Sequence, residues 1–440
     1  MDIYELIQRI AYTAINDNRY KYYDMFRKNL TLSREEMTAL QNKLINKLIV
    51  HAYDHTSYYR NIMQSLELTP DDIRCKEDLK KLPVLTKSTA RIHLEDIRSD
   101  DEFGKQVFIL TSGGSTGNQA YIYQSHYFNR ISKAAGMRNN LMVGWKPCDK
   151  SVWFWGAPYE HQKVEKSLKS KLGIIINRRL LFNAYNYSRD DFSIWADRIE
   201  SFKPKIIYGY STILLDFAKF MLKNNISFSG IRTVVSTTEA LQDRSTIEKA
   251  FDCNVYDQYG CREINGIGIE SPSGIMRIAD DVVALNISDQ GEFIITALHS
   301  FGFPLINYKL GDKGEAVSVT QLPSSDPYPF TTMNLKIGRT TDNFINRDNR
   351  SISSSALSTY MSTFGLNIIE QQIIQHDYTT FTINCVPDHA FNRKHYIESI
   401  TKALEEYFGE NLKLGFNSVE KIPVEKSGKK LMFKRTFNLE

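Results

Sequence analysis

The sequence predicts an α/β protein, with a large N-terminal domain of mixed sheets and helices and a small α+β C-terminal lid. Two observations carry this. Short apolar runs (Ser151 to Trp155, Ile206 to Tyr208, Thr233 to Val235, Asn254 to Tyr256) alternate with segments of helical period, as in Ile213, Leu214, Phe217, Phe220 and Met221. Beyond about residue 342 the pattern restarts as β-β-α-β: Ile368 to Ile374, Phe381 to Val386, a helix from Tyr396 to Phe408, then Leu412 to Phe416. The expected division is residues 1–341, with a helical lead-in over 1–100, and residues 342–440.

The elements follow in order. Ser33, with Glu36 three residues on, predicts a capping box opening a helix through Leu40, Leu44, Leu48 and Ile49. His55 to Arg60 is expected to close it. Val107 to Leu110 and Tyr121 to Tyr123 read as strands around a loop. A helix is expected from Asp243 to Phe251. Residues 282–320 read as β-rich, with strands at Phe293 to Ile295, Leu305 to Tyr308 and Ala316 to Val317. QLPSSDPYPF, residues 321–330, reads as a loop.

A length of 440 residues exceeds one simple core. With 55 basic and 51 acidic residues the net charge is +4, too near neutral to point to a nucleic-acid partner. Five cysteines (Cys75, Cys148, Cys253, Cys261, Cys385) are an odd set without CxxC or paired Cys/His spacing, so neither a disulfide framework nor a zinc knuckle is expected. The N-terminal MDIYELIQRI lacks the charged-then-apolar pattern of a signal segment. The longest aliphatic run, Leu172 to Ile176, falls far short of the roughly 20 residues of a membrane span. A cytoplasmic protein with reduced thiols is the expectation; oligomeric state stays open.

The stretch ILTSGGSTGNQAYIY, from Ile109 to Tyr123, holds seven small residues in succession: Thr111, Ser112, Gly113, Gly114, Ser115, Thr116 and Gly117. Small residues let backbone N–H groups converge on an anion, and hydroxyls add donors. No Gly-Lys-Ser/Thr follows, so the loop is not a Walker A motif and a P-loop kinase or ATPase is disfavoured. Taken alone, such a loop also suits a plain hairpin.

Five further stretches follow in order: Val235-Ser236-Thr237-Thr238-Glu239-Ala240, Asp257-Gln258-Tyr259-Gly260-Cys261-Arg262-Glu263, Tyr308-Lys309-Leu310-Gly311-Asp312, Ile337-Gly338-Arg339-Thr340-Thr341-Asp342 and Ile422 to Lys430. With the loop, they resemble the adenylate-forming enzymes, the superfamily of acyl-CoA synthetases and nonribosomal adenylation domains. The resemblance is to the shorter phenylacetate–CoA ligase branch, which includes capsular polysaccharide-associated ligases, and runs from about residue 40 to 435.

The resemblance implies that a carboxylate attacks the α-phosphorus of ATP, giving acyl-AMP and pyrophosphate. Two anions must meet, so catalysis rests on positioning and electrostatics. On this reading Thr111 to Gly117 hold the β/γ phosphates. Glu263 holds Mg²⁺ through a hard oxygen ligand, and Tyr259 stacks on adenine. Thr238 and Glu239 line the adenine edge, and Asp312 accepts from the ribose hydroxyls. Arg339 lies near ribose and phosphates, and Lys429 reaches the α-phosphate as a compact point charge. Asp342 is the hinge about which the lid turns between two steps. Acyl-pocket candidates are Trp153, Trp155, Gly156, Tyr208, Tyr210, Ser211 and Ser236, whose other reading is sheet packing. Singly, Asp312 also reads as a turn residue, Glu263 and the C-terminal lysines as solvated surface, and Cys261 as packing.

The match departs from the family pattern at four places. The loop ends Gly117-Asn118-Gln119 where Gly-Lys-Pro is usual. Arg262 precedes Glu263 where Thr is usual. Asp348 stands where a glycine lets the CoA arm pass. Glu270 to Gly274 lacks the branch's metal-binding cysteines, so no structural zinc is expected. ATP and Mg²⁺ are the implied cofactors and a small carboxylic acid the substrate. The acceptor is left open between CoA and an amine or hydroxyl of a carrier or saccharide. Two other readings stand: an adenylyltransferase that leaves AMP on its product, and a non-catalytic nucleotide-binding homologue.

Overall fold

The computed structural model describes residues 2–111, 121–155, 168–184, 186–316, 327–337, 344–348, 350–352, 354–361, 364–422 and 432–437. By density of contacts the chain forms two units, each made of separated stretches. One is built from Met1–Leu110, Ala120–Cys148 and Tyr256–Gly338; the other from Thr111–Gln119, Asp149–Val255 and Arg339–Glu440.

The first unit opens with helices Ile3–Ala14, Arg19–Asn29, Arg34–His55 and Ser57–Ser65. The capping box forms as expected: Ser33 Oγ accepts from Glu36 N at 3.1 Å and Glu36 Oε2 from Ser33 N at 2.7 Å. The segment after His55 does not close the helical run. Thr56 is extended, and its hydroxyl accepts from Tyr59 N, so it caps the next helix.

An antiparallel sheet follows, in the order Val283–Ile287, Glu292–Ala297, Tyr308–Ala316, Thr331–Ile337, Met276–Ile278, Gly268–Glu270, Val255–Tyr259. Its apolar face packs on the helices through Phe26, Ile45, Leu48, Phe128, Ile131, Phe293, Ile295 and Tyr308. Leu305 to Asn307 are not strand; the ladder starts at Tyr308, because Asn307 turns the chain at φ +50. Strand Thr331–Ile337 follows the proline-rich stretch, where the sequence carried no such expectation. Arg138 and Asp281 pair bidentately in this core at 2.7 and 2.8 Å, with both side chains sealed from solvent.

In the second unit, strands Thr233–Thr237, Ile206–Tyr210, Ser151–Trp155 and Arg179–Asn183 lie parallel in that order. Helices Arg189–Phe202, Ser211–Lys223 and Arg244–Phe251 connect or follow them, as alternation requires. The C-terminal stretch adds a four-stranded sheet. Its order is Lys413–Ser418, Thr380–Pro387, Ile368–Gln375 and Phe433–Arg435, with helix Arg393–Phe408 beside it. The β-β-α-β expectation thus gains a last strand, Phe433–Arg435, parallel to Ile368–Gln375. Asn186–Tyr187 pairs with Ser351–Ile352, and one apolar cluster joins Phe154, Phe217, Phe344 and Phe381.

All five cysteines carry free thiols. No described helix is long and apolar enough to cross a membrane.

Candidate functional site

In the first unit the strand Tyr308–Ala316 sets the geometry. Its pairing with Glu292–Ala297 aligns Ile294 with Lys309 and then Glu292 with Lys313. Two steps on one strand thus match four on the other, which is a bulge. Gly311, at φ +92, supplies the left-handed backbone it needs. Asp312 therefore sits within a strand at an irregularity, and not in the plain turn that it also reads as in the sequence.

The bulge carries Asp312 to Tyr259, the last residue of Val255–Tyr259. The Tyr259 hydroxyl donates to Asp312 Oδ2 at 2.9 Å. The Tyr259 ring stands edge-on to Phe293, with centroids 5.9 Å apart.

Glu263 is buried, and its Oε1 accepts from the Tyr308 hydroxyl at 3.2 Å. Burial, with the Glu263 charge beside it, holds the Tyr308 phenol well above its usual range, so it stays a donor. Gln124 Nε2 donates to the Glu263 carbonyl at 3.2 Å. A buried carboxylate that accepts from a phenol offers hard oxygen donors, the chemistry that a divalent cation such as Mg²⁺ takes. Arg262 beside it is half-buried. Cys261 packs inward, with Ile264 N donating to its sulfur at 3.3 Å.

In the second unit, Trp153 and Trp155 alternate with fully buried Val152 and Phe154, so each pair takes one face of its strand. The tryptophan face meets the neighbouring parallel strand: Trp153 lies 4.3 Å from Tyr208 and Trp155 4.8 Å from Tyr210, centroid to centroid. Arg179 stacks on Trp153 at 3.5 Å. Burial pushes the Tyr208 phenol up to about 12.

Ser236 is fully buried and its hydroxyl has no hydrogen-bond partner among the described residues. Ser211 is also buried and accepts from Gln242 N at 2.8 Å. Thr238 is exposed and holds φ +76, a strained value for a β-branched residue. Glu239 next to it is buried, and its Oε2 accepts from Thr212 N at 3.1 Å and Thr212 Oγ1 at 2.5 Å. That carboxylate closes the first turn of helix Ser211–Lys223.

Thr111 ends strand Val107–Thr111. Ser112, Gly113, Gly114, Ser115, Thr116, Gly117, Gly156, Arg339, Asp342 and Lys429 lie outside the described residues. Tyr308, Gln124 and Arg179 were not among the residues singled out from sequence. Tyr308 had a signal, as the first residue of the stretch that ends in Asp312; Gln124 and Arg179 had none, because their partners are far along the chain.

Residues 344–436 match the CapK C-terminal domain family. Protein CapK of Staphylococcus aureus is 25% identical over 411 residues, covering 90% of this chain and 88% of that protein. The phenylacetate-coenzyme A ligase of Escherichia coli is 25% identical over 304 residues, covering 64% and 68%. This chain is homologous to CapK and the phenylacetate-coenzyme A ligases. The fold agrees. A 2-hydroxyisobutyryl-CoA ligase in complex with 2-HIB-AMP and CoA, in its thioesterification state, superposes with TM-score 0.57 at 16% identity, over 93% of this chain and 92% of that chain. The same ligase in its postadenylation state with 2-HIB-AMP gives 0.56 at 15% identity, over 92% and 91%.

Proposed function

We propose that this ligase activates a small-molecule carboxylic acid with ATP and Mg²⁺, forming an acyl-AMP and releasing pyrophosphate, and then passes the acyl group to an acceptor. The observation that carries this reading is the hydrogen bond from Tyr259 to Asp312. It brings an aromatic ring and a carboxylate, two groups suited to a nucleoside, together from segments far apart in sequence.

In this reading Tyr259 offers its ring to adenine and Asp312 its carboxylate to the ribose hydroxyls. Glu263, held by Tyr308, ligates Mg²⁺. Mg²⁺ held there would supply positive charge to offset that of the phosphates as a carboxylate approaches. The Thr111 to Gly117 loop holds the β/γ phosphates, Arg339 lies near the ribose, and Lys429 meets the α-phosphate. Thr238 and Glu239 line the adenine edge through backbone, which fits the engagement of the Glu239 carboxylate by Thr212. The acyl pocket is formed by Trp153, Trp155, Gly156, Tyr208, Tyr210, Ser211 and Ser236. The buried, unpartnered Ser236 hydroxyl supports a polar contact there.

The acceptor is an amine or hydroxyl of a carrier or saccharide. Asp348 supports this: it is exposed on the turn held by Asn346 Oδ1, where the branch carries a glycine for the CoA arm. Residues 342–440 act as the mobile lid that separates the two steps.

The test is pyrophosphate release from ATP and Mg²⁺ across aryl, fatty, hydroxy and amino acids, with Lys429→Ala as control. Release stimulated by one class of acid and lost in the variant supports the reading. Nucleotide binding without release would replace it with a non-catalytic role, and AMP retained on the product with adenylyl transfer. Acceleration of AMP release by CoA would overturn the acceptor assignment.

A further inference from the structure

We propose that His51, His55 and Asp101 form a binding site for one divalent transition-metal ion of the Zn²⁺ class, apart from the nucleotide site. The two histidines stand four residues apart on helix Arg34–His55, so both project from one face of its last turn. Asp101 comes from the turn that follows Ser99, which the fold brings to the same place: Asp100 N donates to the His55 carbonyl at 3.0 Å. One donor atom from each of the three side chains falls within 4.8 Å of the others. Donors around tetrahedral zinc, at about 2.0–2.2 Å from the metal, stand about 3.3 Å from one another. Small side-chain rotations close the difference.

The hydrogen bonds around the cluster set the ring nitrogens as a metal site requires. His51 Nε2 lies 2.9 Å from the Phe301 carbonyl, which can only accept, so Nε2 carries the proton. The lone pair is then on Nδ1, which makes no hydrogen bond among the described residues and faces Asp101 Oδ2 at 3.9 Å. His55 Nδ1 lies 2.9 Å from Asp100 Oδ1, which likewise takes a proton and leaves a lone pair on Nε2. A ligating histidine whose second nitrogen is held by a carbonyl or carboxylate is the usual outer-shell arrangement of protein zinc sites. Asp101 divides its oxygens in the same way. Oδ1 accepts from Ser99 Oγ at 2.7 Å and Phe103 N at 2.9 Å, while Oδ2 is turned to His51.

The side chains of His51, Asp101 and His55 are 12, 22 and 41% exposed. The cluster is thus walled on one side by Phe103 and Phe301 and open on the other for water to complete the coordination. Three protein ligands plus water is the zinc pattern with an open position. The lack of paired cysteine spacing argued against zinc in the sequence, but this donor set is imidazole and carboxylate. The bound ion would clip the end of helix Arg34–His55 to the segment that leads into strand Val107–Thr111.

The test is calorimetric titration of the full chain, stripped with chelator, with Zn²⁺ alone and no nucleotide. Co²⁺ absorption serves as the spectroscopic readout. One equivalent should bind, with a cobalt spectrum of four-coordinate type. His55→Ala should weaken binding about tenfold or more, and Asp101→Asn, which keeps the Oδ1 acceptor but drops the charge, should weaken it as well. His376→Ala, an exposed histidine elsewhere, should leave it unchanged. Circular dichroism of the metal-free variants checks that each is folded. Absence of saturable binding to the wild type, or equal binding by folded His55→Ala and Asp101→Asn, overturns the proposal. Neither outcome bears on pyrophosphate release, so the adenylation reading stands or falls separately.

Discussion

Tyr259 and Asp312, 53 residues apart in sequence and on strands that are not adjacent in the sheet, meet through a hydrogen bond of 2.9 Å, with Asp312 placed beside a bulge at Gly311. The bond holds a ring and a carboxylate in fixed register, and its chemical consequences can be separated by substitution.

Asp312→Asn should raise the ATP KM about tenfold, the worth of one charge-assisted hydrogen bond, while leaving the acid's KM nearly unchanged. Tyr259→Phe keeps the ring and should cost less than Tyr259→Ala, which removes the stacking surface. Steady-state pyrophosphate release at varied ATP measures all three. Equal losses for Phe and Ala would show that the hydroxyl, not the ring, matters.

Glu263→Gln should reduce adenylation by about a hundredfold or more and raise the Mg²⁺ concentration needed for half-maximal rate, since an amide is a weaker ligand for a hard cation. Tyr308→Phe, which removes only the hydroxyl that holds Glu263 Oε1, should have a smaller effect of the same kind. A Mg²⁺ titration of each variant is the measurement. An unchanged Mg²⁺ dependence in Glu263→Gln would remove this residue from the metal site.

Glu239→Ala should destabilise the protein by about 1–3 kcal/mol, because Thr212 N and Oγ1 lose their shared acceptor at the start of helix Ser211–Lys223. Thr238→Gly beside it relieves a positive φ and should change stability in the opposite direction. Denaturant midpoints of the two variants should therefore move apart.

Arg138→Met should destabilise the protein by about 3–5 kcal/mol, since it leaves the Asp281 carboxylate buried without its bidentate partner. Replacing both residues with apolar ones of similar size should recover much of that loss. A double-mutant cycle by urea denaturation gives the coupling directly.

Asp342→Pro should leave pyrophosphate release nearly intact and abolish acyl transfer, because a fixed φ at a hinge blocks rotation but not the first step. Loss of both steps to the same degree would count against a hinge at that position.

Much of this protein is local and was therefore legible in its sequence. The Ser33–Glu36 cap, the parallel strands at Ser151–Trp155 and Ile206–Tyr210, and the helix that buries Ile213, Leu214 and Phe217 depend on residues within a turn or two of one another. The order of the motifs also identified the kind of enzyme. What the sequence left undecided depends on distant partners. That Asp312 lies mid-strand at a bulge follows from its pairing with Glu292–Ala297. That Tyr308 holds Glu263, and that Glu239 caps a helix starting at Ser211, follows from packing between remote segments. The His51–His55–Asp101 cluster is of the same sort: its helical pair is written in the sequence, but only the close approach of the Ser99–Asp101 turn to the helix end brings the third ligand. Spacing along a chain sets which side chains share a face; which faces meet is decided by burial and backbone pairing across the whole fold.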